Sequence, residues 1–144
     1  MKDFSRRKFS KALFAGSTVL AMPSIAFGAV PKVIVVGGGA GGATAARYIA
    51  KDSKGDVSVT LVEASKKYYT CFYSNLYLGG FRDYNSIGHE YNALTNNHGV
   101  NVVHGWASSV DNAGKVLKLA SGAELSYDKL VLSPGIDLKY NSIK

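Results

Sequence analysis

The clearest pattern in the chain is a sequence of short apolar runs separated by glycine-rich and polar turns. Val33 to Val36 forms an uninterrupted β-branched run with no polar alternation, which predicts a strand buried on both faces of a parallel sheet. The glycine-rich segment Gly37 to Gly42 follows without a gap, and Ala43 to Lys51 continues in good helix formers. DVSVTLVEA, Asp56 to Ala64, supplies a second strand. Between Asn85 and Gly99, the residues Ile87, Tyr91 and Leu94 fall at helical spacing, which predicts a helix that Gly99 stops. VNVVHGWASSV then reads as one strand, and DNAG, Asp111 to Gly114, as a turn. KVLKLA alternates, SGAE turns again, and YDKLVLSPG ends in a last β run. The expected fold class is therefore α/β: a parallel sheet with a βαβ unit, an inserted β-meander and a return to the sheet.

The glycines carry the first chemistry. Gly37-x-Gly39-x-x-Gly42 lies between a strand and a helix, and Glu63 closes the second strand 21 residues after Gly42. In this context Gly37 permits a tight turn, Gly39 lets backbone approach a pyrophosphate, and Gly42 lets the helix pack close. The helix N-terminus offers unpaired N–H groups to phosphate. Glu63 is placed to accept hydrogen bonds from ribose hydroxyls, and its charge disfavours a 2′-phosphate. This is a Rossmann-like dinucleotide cradle. NAD and FAD share it, but a meander after the first βαβ unit is a feature of flavoproteins built from two dinucleotide-binding domains.

Composition changes the picture at the N-terminus. Of the formal charge of +7, +4 lies in residues 1–28, where five basic residues face only Asp3. The remaining 12 basic and 9 acidic side chains are scattered, without the basic stripe and stacking aromatics of a nucleic-acid binder. SRRKF, an apolar stretch from Ala12 to Met22, and small residues after Pro23 read as an export signal cut between Ala26 and Val30. The apolar stretch is too short to span a bilayer, which needs about 20 residues. Arg6-Arg7 before a weakly apolar core resembles the twin-arginine signals of bacteria. Residues 1–28 are thus expected to be a signal peptide that directs residues 29–144, the dinucleotide-binding part, to the periplasm.

Cys71, the only cysteine, lies in KYYTCFYSN. A single thiol makes no internal disulfide, and a free cysteine is commonly a small buried hydrophobe. His89, His98 and His104 show no metal-site spacing, and no CxxCH haem attachment site occurs.

GGGAGGATAARYI, VTLVEASKKYYTCFYSN and SYDKLVLSPGI together resemble the flavoprotein subunits of flavocytochrome c sulfide dehydrogenases. These are relatives of the sulfide:quinone oxidoreductases within the pyridine nucleotide-disulfide oxidoreductase group. The resemblance runs from about Lys32 to Lys144, and YYTCFYSN is its most specific part. It implies that Cys71 holds FAD covalently, as a thioether to the flavin 8α-methyl carbon, with its aromatic neighbours keeping water away. Gly37, Gly39 and Gly42 would hold the pyrophosphate, Glu63 the adenosine ribose, and Ala107 the adenine. Ser133 and Gly135, in the turn after the last strand, would bring backbone close to the cofactor, and Ser74 and Asn75 would face the isoalloxazine edge.

The resemblance further implies that sulfide is the substrate and that electrons leave to a c-type cytochrome partner. Sulfide would attack a redox disulfide, but this chain has no further cysteines to form one, and such relatives run much longer. The resemblance thus implies that residues 29–144 are the N-terminal part of an FAD/NAD(P)-binding domain, a fragment inactive by itself whose catalytic residues lie elsewhere. The alternatives are a sulfide:quinone oxidoreductase or another FAD-dependent NAD(P)H oxidoreductase, and a non-catalytic exported nucleotide-binding module.

Overall fold

A computed structural model describes residues 29–137 and 139–142; the predicted signal peptide lies outside the described residues. Strand β1 (Lys32–Val36) leads through the glycine loop into helix α1 (Ala40–Ser53) and strand β2 (Ser58–Glu63). A short strand β3 (Lys67–Tyr69), helix α2 (Ser74–Leu78) and a 3-10 turn (Tyr84–Ile87) follow. Strand β4 (Gly88–Glu90), helix α3 (Asn92–His98) and strand β5 (Asn101–His104) come next. Strands β6 (Ala107–Asp111), β7 (Val116–Leu119) and β8 (Glu124–Ser126) precede the last strand, β9 (Lys129–Leu132).

Four strands form a parallel sheet in the order β5-β2-β1-β9. The chain builds outward from β1 to β2 and β5, then crosses to the other side of β1 as β9. That reversal creates a crevice at the strand ends, where ligands of open α/β sheets bind. The unbroken apolar run of β1 follows from its position at the centre of the sheet. Val33 and Val35 face α1 and α3, packing with Ala46, Val59, Leu61 and Val100. Ile34 and Val36 face the opposite layer, where Leu117, Leu119 and Tyr127 of the meander region cover them. Both faces are therefore dry, and the meander β6-β7-β8 is the second wall of the core.

Two expectations need correction. The helix predicted over 85–99 is confined to Asn92–His98. Ile87 ends the 3-10 turn instead, and Gly88–Glu90 pairs antiparallel with Lys67–Tyr69. Both Ile87 and Tyr91 are buried, which gave the helical spacing, but only Tyr91 belongs to the core cluster on the sheet. Gly99 does stop α3, in the left-handed conformation at φ +66°. The single strand predicted over VNVVHGWASSV is two: β5 belongs to the parallel sheet and β6 to the meander. The chain breaks pairing at Gly105, where a side chain would press on Leu119 at 3.1 Å.

Candidate functional site

The site grows from the ends of three adjacent strands. The Gly37 N–H donates to the Val62 carbonyl at 2.8 Å, and the Ser133 N–H donates to the Val36 carbonyl at 2.8 Å. These bonds tie the ends of β2, β1 and β9 together as the glycine loop leaves the sheet. Gly37 has φ +96°, and a Cβ there would overlap the Ser133 carbonyl oxygen. A Cβ at Gly42 would overlap the carbonyl oxygen of Gly37, so α1 lies directly on the loop. Gly39, the N-cap of α1, differs from both. A Cβ at that position would meet only the Tyr68 ring, at 3.9 Å. The two outer glycines are required by protein packing, while the middle one borders open space.

Glu63 ends β2 half-buried, and its carboxylate is already engaged. Oε2 accepts the Gly38 N–H at 2.6 Å and Oε1 accepts the Ser65 N–H at 2.8 Å. Beside it opens a cleft of about 280 Å³, whose walls include Gly37, Glu63, Trp106, Ala107 and Pro134. The strand ends, the crossover at Gly105 and the turn after β9 thus converge on one mouth. Pro134 stands there between Ser133 and Gly135, the latter at φ +81°. Sequence reasoning placed Gly37, Glu63, Ala107 and the Ser133–Gly135 turn together, and the fold brings them together.

Cys71 lies apart from that cleft, on the connection between β3 and α2. It is exposed and unpaired. Its surroundings are nonetheless firmly built. Buried Thr70 donates its N–H to Ile87 O at 3.0 Å and accepts the Phe72 N–H on Oγ1 at 3.2 Å. The Cys71 carbonyl accepts from both the N–H and the hydroxyl of Ser74, at 3.3 and 2.8 Å. Tyr73 holds a left-handed φ of +66°, uncommon for a side chain of its size, with the Arg82 guanidinium 4.7 Å from its ring centre. The expectation that neighbouring rings keep water from the thiol is not met here, since Phe72 and Tyr73 are each 60% exposed. A second cleft, of about 480 Å³, opens beside them between Thr70, Phe72, Tyr73 and His89. The strap and the cradle meet through β3, whose Tyr68 ring reaches Gly39. Asn75 lies in α2, where its carbonyl accepts the Gly79 N–H.

One residue of this site escaped the sequence reading of function. Tyr91 is 7% exposed and donates its hydroxyl to the Gly38 carbonyl at 3.0 Å. Its apolar spacing marked it as core, and nothing in the sequence signals a partner 53 residues away. Burial pushes its phenol up to about 12, with the charges of Glu63 and Tyr68 adding to the effect. No group of three or more potential metal ligands occurs among the described residues. No helix among them is long and apolar enough to cross a membrane.

Residues 31–143 match the family described as pyridine nucleotide-disulphide oxidoreductase. A probable ferredoxin reductase, CtmF, of Castellaniella defragrans is 34% identical over 106 residues, covering 72% of this chain and 26% of that protein. The flavoprotein chain of sulfide dehydrogenase (flavocytochrome c) of Chlorobaculum thiosulfatiphilum is 50% identical over 44 residues. That match covers 31% of this chain and 90% of that sequence. Among solved structures, the sulfide:quinone oxidoreductase of Aquifex aeolicus superposes with a TM-score of 0.68 at 24% identity. It is covered for 25% of its length by 76% of this chain. This chain therefore spans about a quarter of the length of the ferredoxin reductase and of the quinone oxidoreductase.

Proposed function

This chain belongs to the pyridine nucleotide-disulphide oxidoreductases, a family of FAD-binding enzymes, and on that premise we propose that it is the FAD-holding portion of an exported sulfide-oxidising flavoprotein. Its residues fit the cofactor. The open space at Gly39 and the unpaired N–H groups at the head of α1 suit a pyrophosphate. The cleft between Glu63, Trp106 and Ala107 suits the adenosine half. Glu63 would keep its bond to Gly38 and offer remaining lone pairs to the ribose. Bound FAD supplies two-electron chemistry, and the protein's share is placement, electrostatics and exclusion of competing reactions.

Cys71 would be the point of covalent attachment. The observation that carries this reading is an exposed, unpaired thiol on a strap fixed by Thr70 and Ser74 and joined to the cradle through Tyr68. The 50% identity to a sulfide dehydrogenase flavoprotein chain supports sulfide as the substrate and a c-type cytochrome as the electron acceptor. Arg6 and Arg7 support export by the twin-arginine route to the periplasm. A second reading, a reductase linked to NAD(P)H with noncovalent FAD, draws on the similarity to the ferredoxin reductase.

Acid precipitation of the protein, produced in its full native length, separates the two. A covalent flavin leaves the pellet yellow, and Cys71→Ser moves the colour to the supernatant. A colourless wild-type pellet under a yellow supernatant overturns attachment and favours the second reading.

A further inference from the structure

Two side chains from other parts of the fold grip consecutive peptide groups of the glycine loop. Glu63 accepts the N–H of Gly38, fixing the plane between Gly37 and Gly38. Tyr91 donates to the carbonyl of Gly38, fixing the plane between Gly38 and Gly39. In a planar trans peptide the carbonyl and the following N–H point in opposite directions. A Gly38 carbonyl turned inward to buried Tyr91 therefore turns the Gly39 N–H outward, at the head of α1. That N–H has no partner among the described residues. The Tyr91 ring also occupies the space beside Gly38, where an added Cβ would come within 2.5–2.7 Å of its hydroxyl and ring carbons. A side chain at residue 38 would therefore have to displace the Tyr91 ring tip that holds the loop.

We propose that Tyr91 is a positioning residue for phosphate binding: by pinning the Gly38 carbonyl it presents the Gly39 N–H to the pyrophosphate before any ligand arrives. The phenol is suited to this, because its protonated form persists throughout the physiological pH range. Its neighbours maintain the geometry. The His104 ring lies 6.0 Å from the Tyr91 ring, and His104 Nδ1 lies 3.3 Å from the Glu63 carbonyl oxygen. Without the hydroxyl, the peptide between Gly38 and Gly39 gains freedom that binding must then remove, which is the general cost of a site that is not pre-organised.

This inference rests on the dinucleotide reading of the cradle, and the test keeps the two apart. Tyr91→Phe removes the donor and retains the ring. Dissociation constants for ADP and for adenosine are measured by calorimetry on the full-length protein carrying Cys71→Ser and freed of FAD, with Tyr91 intact and with Tyr91→Phe. ADP carries the pyrophosphate, and adenosine tests the rest of the pocket. The expected result is ADP weakened roughly three- to tenfold, the worth of one hydrogen bond, with adenosine unchanged. Equal losses for both ligands, as a damaged fold would give, overturn the proposal, and so does unchanged ADP binding. A wild-type protein that binds neither ADP nor FAD overturns the dinucleotide reading, and this inference with it.

Discussion

At the scale of single residues, Tyr91 makes a claim about pH. Its phenol loses a proton less readily in the folded chain than in the unfolded one, with burial as the main cause. Above the unfolded value near 10, the folded state holds a proton that the unfolded state releases, so stability falls as pH rises. Below pH 10 the contribution is fully present, and it disappears as pH passes from 10 to about 12. Urea unfolding at pH 9 and pH 11 should show the wild type losing more stability than Tyr91→Phe over that interval. Parallel losses would mean that another group dominates. The glycines behave oppositely to this phenol, because they act through what they lack. Gly37 and Gly42 leave room for carbonyl oxygens of the protein itself, and Gly39 leaves room for something else.

At the scale of elements, the meander is a structural wall and not an ornament. Leu117 of β7 is fully buried and packs with Ile34, Val36 and Val62, the even-numbered face of the parallel sheet. Leu117→Ala should cost about 2–5 kcal/mol, the usual range for a buried leucine, measured as a shift in the denaturant midpoint at constant slope. A loss below about 1 kcal/mol would mean that β7 is only loosely docked. The sequence made the parallel strands legible because Val33–Val36 is buried on both sides and Val59, Leu61 and Val62 are buried beside it, and a run of β-branched residues has few other uses. The cradle was legible for a related reason: close approaches of backbone at Gly37 and Gly42 leave a glycine at each, and Gly39 keeps the space between them open. The region from Lys67 to Tyr91 was not legible. Its strand pair is only three residues long on each side, too short for a period to emerge, and Ile87 and Tyr91 imitate a helix face while packing separately. The break at Gly105 was hidden as well, since β5 and β6 are both ordinary strands and only tertiary pairing assigns them to different sheets.

At the scale of the whole molecule, the strand order decides where chemistry can occur. β1 has β2 on one side and β9 on the other, so all three strand ends deliver backbone to one mouth. The charge is unevenly shared along the chain, with Lys2, Arg6, Arg7, Lys8 and Lys11 all within the first 28 residues. If those residues address a folded, flavin-loaded protein to the twin-arginine route, replacing Arg6 and Arg7 by lysine should abolish periplasmic accumulation while leaving cytoplasmic flavoprotein intact. Undiminished periplasmic protein would assign export to the general secretory route.

Gly105 connects these scales. Its N–H donates to the Glu63 carbonyl at 3.0 Å on one side, and on the other it lies so close to Leu119 that a methyl group would crowd it. The same residue also lines the cleft. The floor of the cleft is therefore a joint between two layers, and it rests directly against the far wall. A bulkier side chain at Leu119 of β7 would bear on the cleft floor through Gly105.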